Sequence, residues 1–410
     1  MLSRAAARLW LALSIVMLAV RAAGAQTPPG HADHVMPANS PGWTWGVDAE
    51  AFADANLQER KFRDIHGIES QNWFMLAASR ALGRARLDAR GMLSGEAYTL
   101  HLYGSPQVFQ TGETYNGLAL IDYQHPHDVI MGASARLEWP LDSAWRMFVD
   151  GGPVGSPAIG PAPFMHRPSA GPNPTAPLSH HSFDSTHITH GVITLGLVRG
   201  PVTFEASAFH GREPDEDRLR VEFGPIDSYA ARVAWQRGAW HGQVSGAHIK
   251  FPSQTEFTDA ELVNTSVDWS GRWRGRPLTW LAAFGLHREP AFSLTSPAVF
   301  VEGTWQQSEA SRVYVRGEWL RKDILTLGGY DPPGFNHPHI LSTIGALTVG
   351  YERRLTAKGW TDLAVGADAT GYYRDPNLDE PYGHPWSFHV FFRFGVSNGS
   401  HAGMSMPGMH

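Results

Sequence analysis

The chain of 410 residues has no cysteine, 43 Gly, 29 Pro, 15 Trp, 20 Phe and 11 Tyr, with 42% hydrophobic and 18% charged residues. Without cysteine there is no disulfide scaffold, cysteine-ligated zinc site or thiol nucleophile, and so hydrophobic and aromatic a chain is not a disordered one. A formal net charge of −6 argues against nucleic acid as a partner, and beyond the N-terminus no apolar run approaches the roughly 18 residues a membrane helix needs, which leaves a large all-β protein.

Residues 1–25 read as a signal peptide. Arg4 and Arg8 precede the apolar stretch Leu9–Val20, and Ala23-Gly24-Ala25 supplies an A-x-A cleavage site. The apolar stretch is too short to span a bilayer, so the expectation is export and removal. Losing three arginines and no acid takes the formal charge from −6 to −9. Residues 26–41 form a segment with Met, His and Pro, carrying His31, His34 and Met36.

From residue 42 onward, segments of about ten residues alternate apolar and polar positions, the pattern of a membrane β-barrel. Trp43, Trp45, Val47 and Ala49 oppose Thr44, Asp48 and Glu50; Arg84, Arg86, Asp88 and Arg90 share one face; Leu278, Trp280, Phe284 and Leu286 oppose Thr279 and His287. The clearest case sets Val313, Val315 and Trp319 against Arg312, Tyr314, Arg316 and Glu318. A strand turns alternate side chains to opposite faces, so these charges share a surface that cannot face lipid and must line an interior.

Sixteen strands are predicted, at 42–53, 70–82, 84–94, 130–139, 144–151, 189–199, 201–210, 228–237, 240–249, 261–271, 277–287, 296–306, 311–321, 341–354, 359–371 and 386–396; a weak pair within 95–129 would change the count by two. Their connections alternate short and long, as tight periplasmic turns and extended outer loops do. Tryptophan agrees. Trp139 and Trp145 bracket one short turn, Trp235 and Trp240 another, Trp269 and Trp273 a third, while Trp43, Trp45, Trp305 and Trp360 lie beside strand ends on that side, where indoles would sit at headgroup level. Barrel 42–396 is therefore expected to be a single closed antiparallel transmembrane β-barrel in the outer membrane, followed by a periplasmic Met/His-rich tail, 397–410.

In the last strand Phe388, Val390, Phe392 and Phe394 oppose His389 and Arg393, so Trp386–Phe394 resembles the C-terminal insertion strand of outer-membrane proteins, and the whole stretch 42–396 resembles a bacterial outer-membrane barrel of porin-like size. What this implies is a loop after the fifth strand that folds inward to narrow the pore; here that loop, about Gly152–Ile188, reads as the longest and holds eight prolines from Pro153 to Pro177. Gln110-Thr111-Gly112-Glu113-Thr114-Tyr115 and Gln124-His125-Pro126-His127-Asp128 also resemble a family of such barrels, a likeness that implies no activity.

Of the 21 histidines, two pairs lie in His-Pro-His motifs at the expected outer mouth, His125 and His127 beside Asp128, and His337 and His339. Imidazoles one residue apart can face a common ion, with Asp128 as a hard ligand or an orienting partner; the alternative is that proline stiffens each loop and the rings bond within the mouth. His180, His181, Asp184, His187 and His190 cluster where the long loop re-enters the barrel. A serine hydrolase built from Ser185 or Ser182 with His187 and Asp184 is weighed and set aside, because residues so close in sequence rarely reach triad geometry; no enzymatic activity is expected. Asp215, Glu216 and Asp217 with Arg212, Arg218 and Arg220 read as a solvated loop tip. The tail places His401, Met404, Met406, Met409 and His410 in eleven residues. Thioether favours Cu(I) and imidazole suits Cu(II), so copper is the metal this tail would take. Barrel closure would bring it beside His31, His34 and Met36, and this arrangement resembles the Met/His-rich extension of copper-resistance outer-membrane proteins.

The function read from these features is a porin-like channel for small polar solutes or ions, linked through those segments to copper or other metals; its partners would be outer-membrane lipid, the solutes or metal ions, and copies of itself. The rival readings are a copper-binding resistance protein with the barrel as anchor, and the barrel hydrolase. Lumen candidates are Asp48, Glu50, Arg84, Arg86, Asp88, Arg90, Arg136, Glu138, Arg146, Glu205, Arg232, Asp268, Arg312, Arg316, Glu318, Asp362, Asp368 and Arg393. Their mixed signs predict weak ion preference, because rings of one sign select strongly.

Overall fold

The computed structural model describes residues 42–61, 64–112, 114–256, 258–324 and 341–398. Alternation translates into sixteen strands. They are β1 (Thr44–Glu59), β2 (Ile65–Glu69 continued by Asn72–Leu82), β3 (Ala85–Leu93), β4 (Ile130–Pro140) and β5 (Trp145–Gly155). There follow β6 (Thr189–Arg199), β7 (Val202–Phe209), β8 (Ser228–Arg237), β9 (Trp240–Ile249), β10 (Ala260–Trp273) and β11 (Arg276–Glu289). The last are β12 (Leu294–Gln306), β13 (Ser311–Asp323), β14 (Leu341–Lys358), β15 (Thr361–Arg374) and β16 (Trp386–Ser397). Each strand pairs antiparallel with the next, and β1 pairs with β16 from Asp48–Ser397 to Glu59–Trp386, so the sheet closes on itself. The two segments of β2 run end to end along β1, where Asp54 pairs with Glu69 and Ala51 with Asn72. Among its described residues, segment 95–129 adds a helical turn, Glu96–Thr99, and two small ribbons, Ser105–Pro106 with Tyr123–Gln124 and Thr114–Tyr115 with Leu118–Ala119, which stay outside the barrel sheet.

Several strands outrun their predicted limits, β1, β2, β5 and β14 by four residues or more. β1 continues to Glu59 because Asp54, Asn56 and Gln58 all turn inward and are buried. β5 continues through Gly151-Gly152-Pro153 by a shift of register between Gly151 and Val154, a bulge that accommodates a proline within a strand. Consequently the loop after β5 spans 156–188, and the connection after β3, 94–129, is the longer of the two.

Outside, Leu195, Leu197, Val233, Val244, Val263, Val299, Val301, Val315, Leu347, Val349, Val390 and Phe392 are exposed in one band. Trp43 packs on Trp45, Trp240 on Trp269 and Trp280, and Trp273 on Trp305 toward the short-turn end; Trp319 stacks on Tyr373 toward the other. An apolar belt between aromatic girdles is the surface of a membrane-spanning barrel. A charge on that belt near its middle is costly. Val349→Arg should destabilise the folded barrel by about 2–4 kcal/mol, whereas its inward neighbour Thr348→Arg should not meet lipid at all; the yields of the two variants on refolding into lipid vesicles compare these outcomes.

Candidate functional site

The inward face is only partly a polar wall. Leu281 and Ala283 of β11, Ala298 and Phe300 of β12, Leu320 of β13, and Ile344 and Ala346 of β14 are buried inside the barrel and form a cluster with residues of three outer loops. These are L2 (94–129), L3 (156–188) and L8 (375–385), which contribute Val108 and Phe109, Leu178 and Phe183, and Leu378 and Tyr382. Loops whose apolar side chains enter a lumen need apolar wall to bury against, and these seven inward wall residues supply it. L3 therefore does fold into the barrel.

Polar contacts pin L3 around half the circumference. Ala158 N–H donates to Ser207 Oγ of β7 at 2.8 Å and Gly160 N–H to Ser245 Oγ of β9 at 2.9 Å, while Arg232 of β8 donates to Gly160 O at 3.0 Å. Farther on, Ser169 Oγ donates to Glu302 at 2.9 Å, Arg316 donates to Thr175 O at 2.8 Å, and Ser179 donates to Glu318 through both N–H (3.0 Å) and Oγ (2.8 Å). Gly160, at φ 63°, lies so close to the chain at Phe183 that a Cβ would stand 2.0 Å from its carbonyl oxygen. Gly171, at φ 58°, presses on Thr304 in the same way.

The central fastening is Arg167. Its guanidinium donates to Glu302 of β12 at 2.7 Å, to Asp184 at 2.8 Å and to Ala162 O at 2.9 Å, and lies 5.0 Å over the Phe300 ring, with all three charged side chains almost wholly out of solvent. Burial raises the Asp184 carboxyl, but Arg167 and a hydrogen bond from His180 outweigh it and hold the group well below the usual carboxylate range. L2 has a comparable hub. Buried Asp122 takes an ion pair from Arg60 at 2.9 Å and hydrogen bonds from Phe109 N–H at 2.7 Å and Tyr382 Oη at 3.1 Å.

Thr111, Gly112 and Thr114 reach across the mouth: Thr111 Oγ1 donates to Asp323 O of β13, Gly112 O accepts from Thr255, and Thr114 Oγ1 donates to Glu216. Glu216 also accepts Gly117 N–H at 3.0 Å, and Arg218 reaches Asp128 at 3.3 Å. These two residues clamp L2 rather than decorate a solvated tip. Among the run's other charges, Arg220 does sit exposed between Asp215, Asp217 and Glu222.

Pairing partners along the sheet place the predicted lumen residues on the inward face, with one correction. Arg84 lies in the exposed turn between β2 and β3, because the strand begins only at Ala85, so it leaves the face shared by Arg86, Asp88 and Arg90. The inward charges compensate one another. Arg393 meets Glu50 at 3.0 Å and also Glu352 and Asp362; Arg312 meets Glu352; Arg90 meets Asp150 at 3.0 Å; Arg86 meets Asp88 at 2.9 Å; Arg146 meets Glu138 at 3.0 Å; Arg232 meets Glu205 at 2.7 Å; and Asp268 meets His241 at 2.7 Å. Arg136 stacks 3.4 Å over Phe148, Asp368 accepts from Tyr314 Oη, and Asp48 pairs in register with Ser397.

His125, His127 and Asp128 do not converge on one point. His127 Nδ1 lies 2.7 Å from Glu96, while Asp128 turns to His190 at 3.3 Å and to Arg218. Among the described residues no three His, Asp or Glu side chains are gathered as a metal site. His337, His339, His31, His34, Met36, His401, Met404, Met406, Met409 and His410 lie outside the described residues. Asp184 does not serve His187 as a triad acid: its carboxylate holds His180 Nδ1 at 3.0 Å and Arg167, and His187 Nδ1 instead bonds the Asp184 carbonyl at 2.7 Å.

Cavities remain around the loops. One of about 250 Å³ lies at the short-turn end between L3 residues Pro161, His166 and Arg167 and wall residues Gln236, His241, Asp268 and Thr279. Another, about 120 Å³, is lined by Thr111, His181, Glu256, His287 and Lys322, and a third, about 50 Å³, by Glu50, Trp73, Glu96, His125, His127 and Met165.

A closed sixteen-stranded cylinder, apolar outside and charged within, with a loop after β5 lodged in its lumen, is an outer-membrane barrel of porin-like size. Known structures agree on the fold. The outer membrane channel DcaP of Acinetobacter baumannii is 10% identical and superposes with a TM-score of 0.52, covering 87% of this chain and 99% of that one. OmpF of Salmonella typhi, in complex with daunomycin, is 9% identical with a TM-score of 0.50, covering 85% and 97%. No family model matches the chain, and no curated protein matches it in sequence.

Proposed function

We propose that this barrel is a porin-like channel for small polar solutes or ions whose lumen is narrowed by L3 and gated at the mouth by L2. The observation that carries the reading is L3 itself. It crosses the lumen on directional hydrogen bonds to β7, β9, β12 and β13, and leaves cavities on both its sides. A barrel serving as a plain anchor needs neither. Because inward acids and bases are paired, conductance in a planar bilayer should be small, with a reversal potential near zero in a salt gradient. Correctly folded protein that leaves the bilayer sealed contradicts the channel; a strongly cation- or anion-selective current contradicts the compensated wall.

A second observation favours metal capture by the chain ends. At the short-turn end Asn398 accepts Val47 N–H at 3.2 Å and donates to Trp45 O at 3.0 Å, so the described chain enters and leaves side by side. His31, His34 and Met36 precede that point, and His401, Met404, Met406, Met409 and His410 follow it. One composite copper site is the proposal. Equal copper stoichiometry in the intact chain and in a variant with these eight residues replaced by serine rules it out.

A further inference from the structure

Five imidazoles stand in a row where L2 meets L3. Ring centres are 6.4 Å apart from His125 to His127, 5.4 Å from His127 to His187, 5.6 Å from His187 to His180 and 5.3 Å from His180 to His181. The row joins two cavities, since His125 and His127 line the one beside Trp73, and His181 lines the one beside Lys322.

In the three central rings Nδ1 is already engaged: by Glu96 for His127, by the Asp184 carbonyl for His187 and by the Asp184 carboxylate for His180. An acceptor on Nδ1 fixes the proton there and leaves Nε2 as the lone-pair nitrogen, the orientation that metal-ligating histidines receive from their supporting partners. His187 Nε2 is buried and has no hydrogen-bond partner.

We propose that His187 Nε2, paired with His127 Nε2 or in turn with His180 Nε2, binds one divalent transition-metal cation at a time, with water completing the shell. Two imidazoles on one tetrahedral ion, each nitrogen at about 2.1 Å, set their ring centres roughly 5 Å apart, close to the separations found. Imidazole selects zinc, copper, nickel or cobalt ions, whereas calcium and magnesium demand oxygen ligands. Two protein ligands per ion make weak, consecutive sites, the arrangement that lets a cation enter and also leave. Passage along the row rests on the channel reading; binding does not.

The test uses the full-length refolded protein in detergent, titrated with Zn(II) by calorimetry, with Mg(II) as the control ion, and parallel bilayer recordings in Zn(II). The variants are His187→Ala, His127→Gln and, away from the row, His101→Ala, each checked for folding by its heat-dependent gel mobility. Zn(II) but not Mg(II) should bind, and both row variants should lose an equivalent or bind roughly tenfold more weakly while His101→Ala matches the native chain. If a row variant fails to fold, the Cu(II) electron-spin spectrum of the native and the remaining row variant decides: loss of a two-nitrogen signal supports the site. Equal Zn(II) binding and equal Cu(II) spectra in native and folded row variants overturn it. Binding without any conductance overturns the channel and leaves the site; conductance without row-dependent binding does the reverse.

Discussion

Replacing Arg167 with alanine should multiply the large-conductance excursions of single channels by about a hundred, while the barrel itself remains folded. The side chain holds the middle of L3 between anchors at Gly160 and Ser179, reaching Glu302 on the wall and Asp184 on the loop. Removing one partner of a buried ion pair costs about 3–5 kcal/mol, because the remaining charge is stranded out of water. Glu302 keeps Arg316 at 3.1 Å and Asp184 keeps His180, so the low end of that range applies. Roughly 3 kcal/mol on a docked–undocked equilibrium is a hundredfold change in its ratio. Arg167→Lys should fall between, since an ammonium cannot match the guanidinium fork that serves two acids at once. Arg288→Ala, which breaks an exposed pair with Glu261, should leave the recordings unchanged. An Arg167→Ala channel as quiet as the native one would mean that L3 is held by its apolar side chains and backbone contacts alone.

The barrel was legible because period-two alternation survives wherever one face meets lipid and the other does not. In β13 that condition holds along the whole strand, and Arg312, Tyr314, Arg316 and Glu318 lie inward as their spacing requires, with Val315 and Trp319 exposed. Where a side chain faces neither lipid nor water, alternation says nothing. Phe300 and Phe391 sit on the inward face because loop residues and other wall side chains pack on them, as Phe183 does at 4.9 Å and Phe52 at 5.5 Å, and nothing local announces that. Arg167 was missed for a related reason. A single arginine in a proline-rich loop has no pattern, and its signal lay elsewhere, in two inward acids on adjoining strands, Glu302 of β12 and Glu318 of β13, with the one cation Arg316 beside them. The histidine clusters were visible as composition, but sequence spacing grouped His125 with His127 and Asp128, whereas the fold passes the row from His127 across to His187 in another loop.

Asp122→Asn should open the mouth more than any neutral substitution of comparable size, and a second substitution should largely undo it. The asparagine keeps a carbonyl oxygen for Phe109 N–H and Tyr382 Oη, and it tolerates the left-handed backbone at φ 62°, so neither the turn nor those two bonds is the main loss. What disappears is the counter-charge to Arg60, whose side chain is 2% exposed. Stranding that guanidinium costs about 3–5 kcal/mol, and removing both charges is far cheaper than removing one. Limited proteolysis of L2 reads the opening directly. Cleavage should rise by roughly two orders of magnitude in Asp122→Asn, and Arg60→Met combined with Asp122→Asn should recover most of the protection, the non-additive result expected of a contacting pair. Protection equal to native in the single variant, or effects that simply add in the double, would show that L2 is secured by the mouth-crossing bonds of Thr111 and Thr114 instead of the charge beneath it.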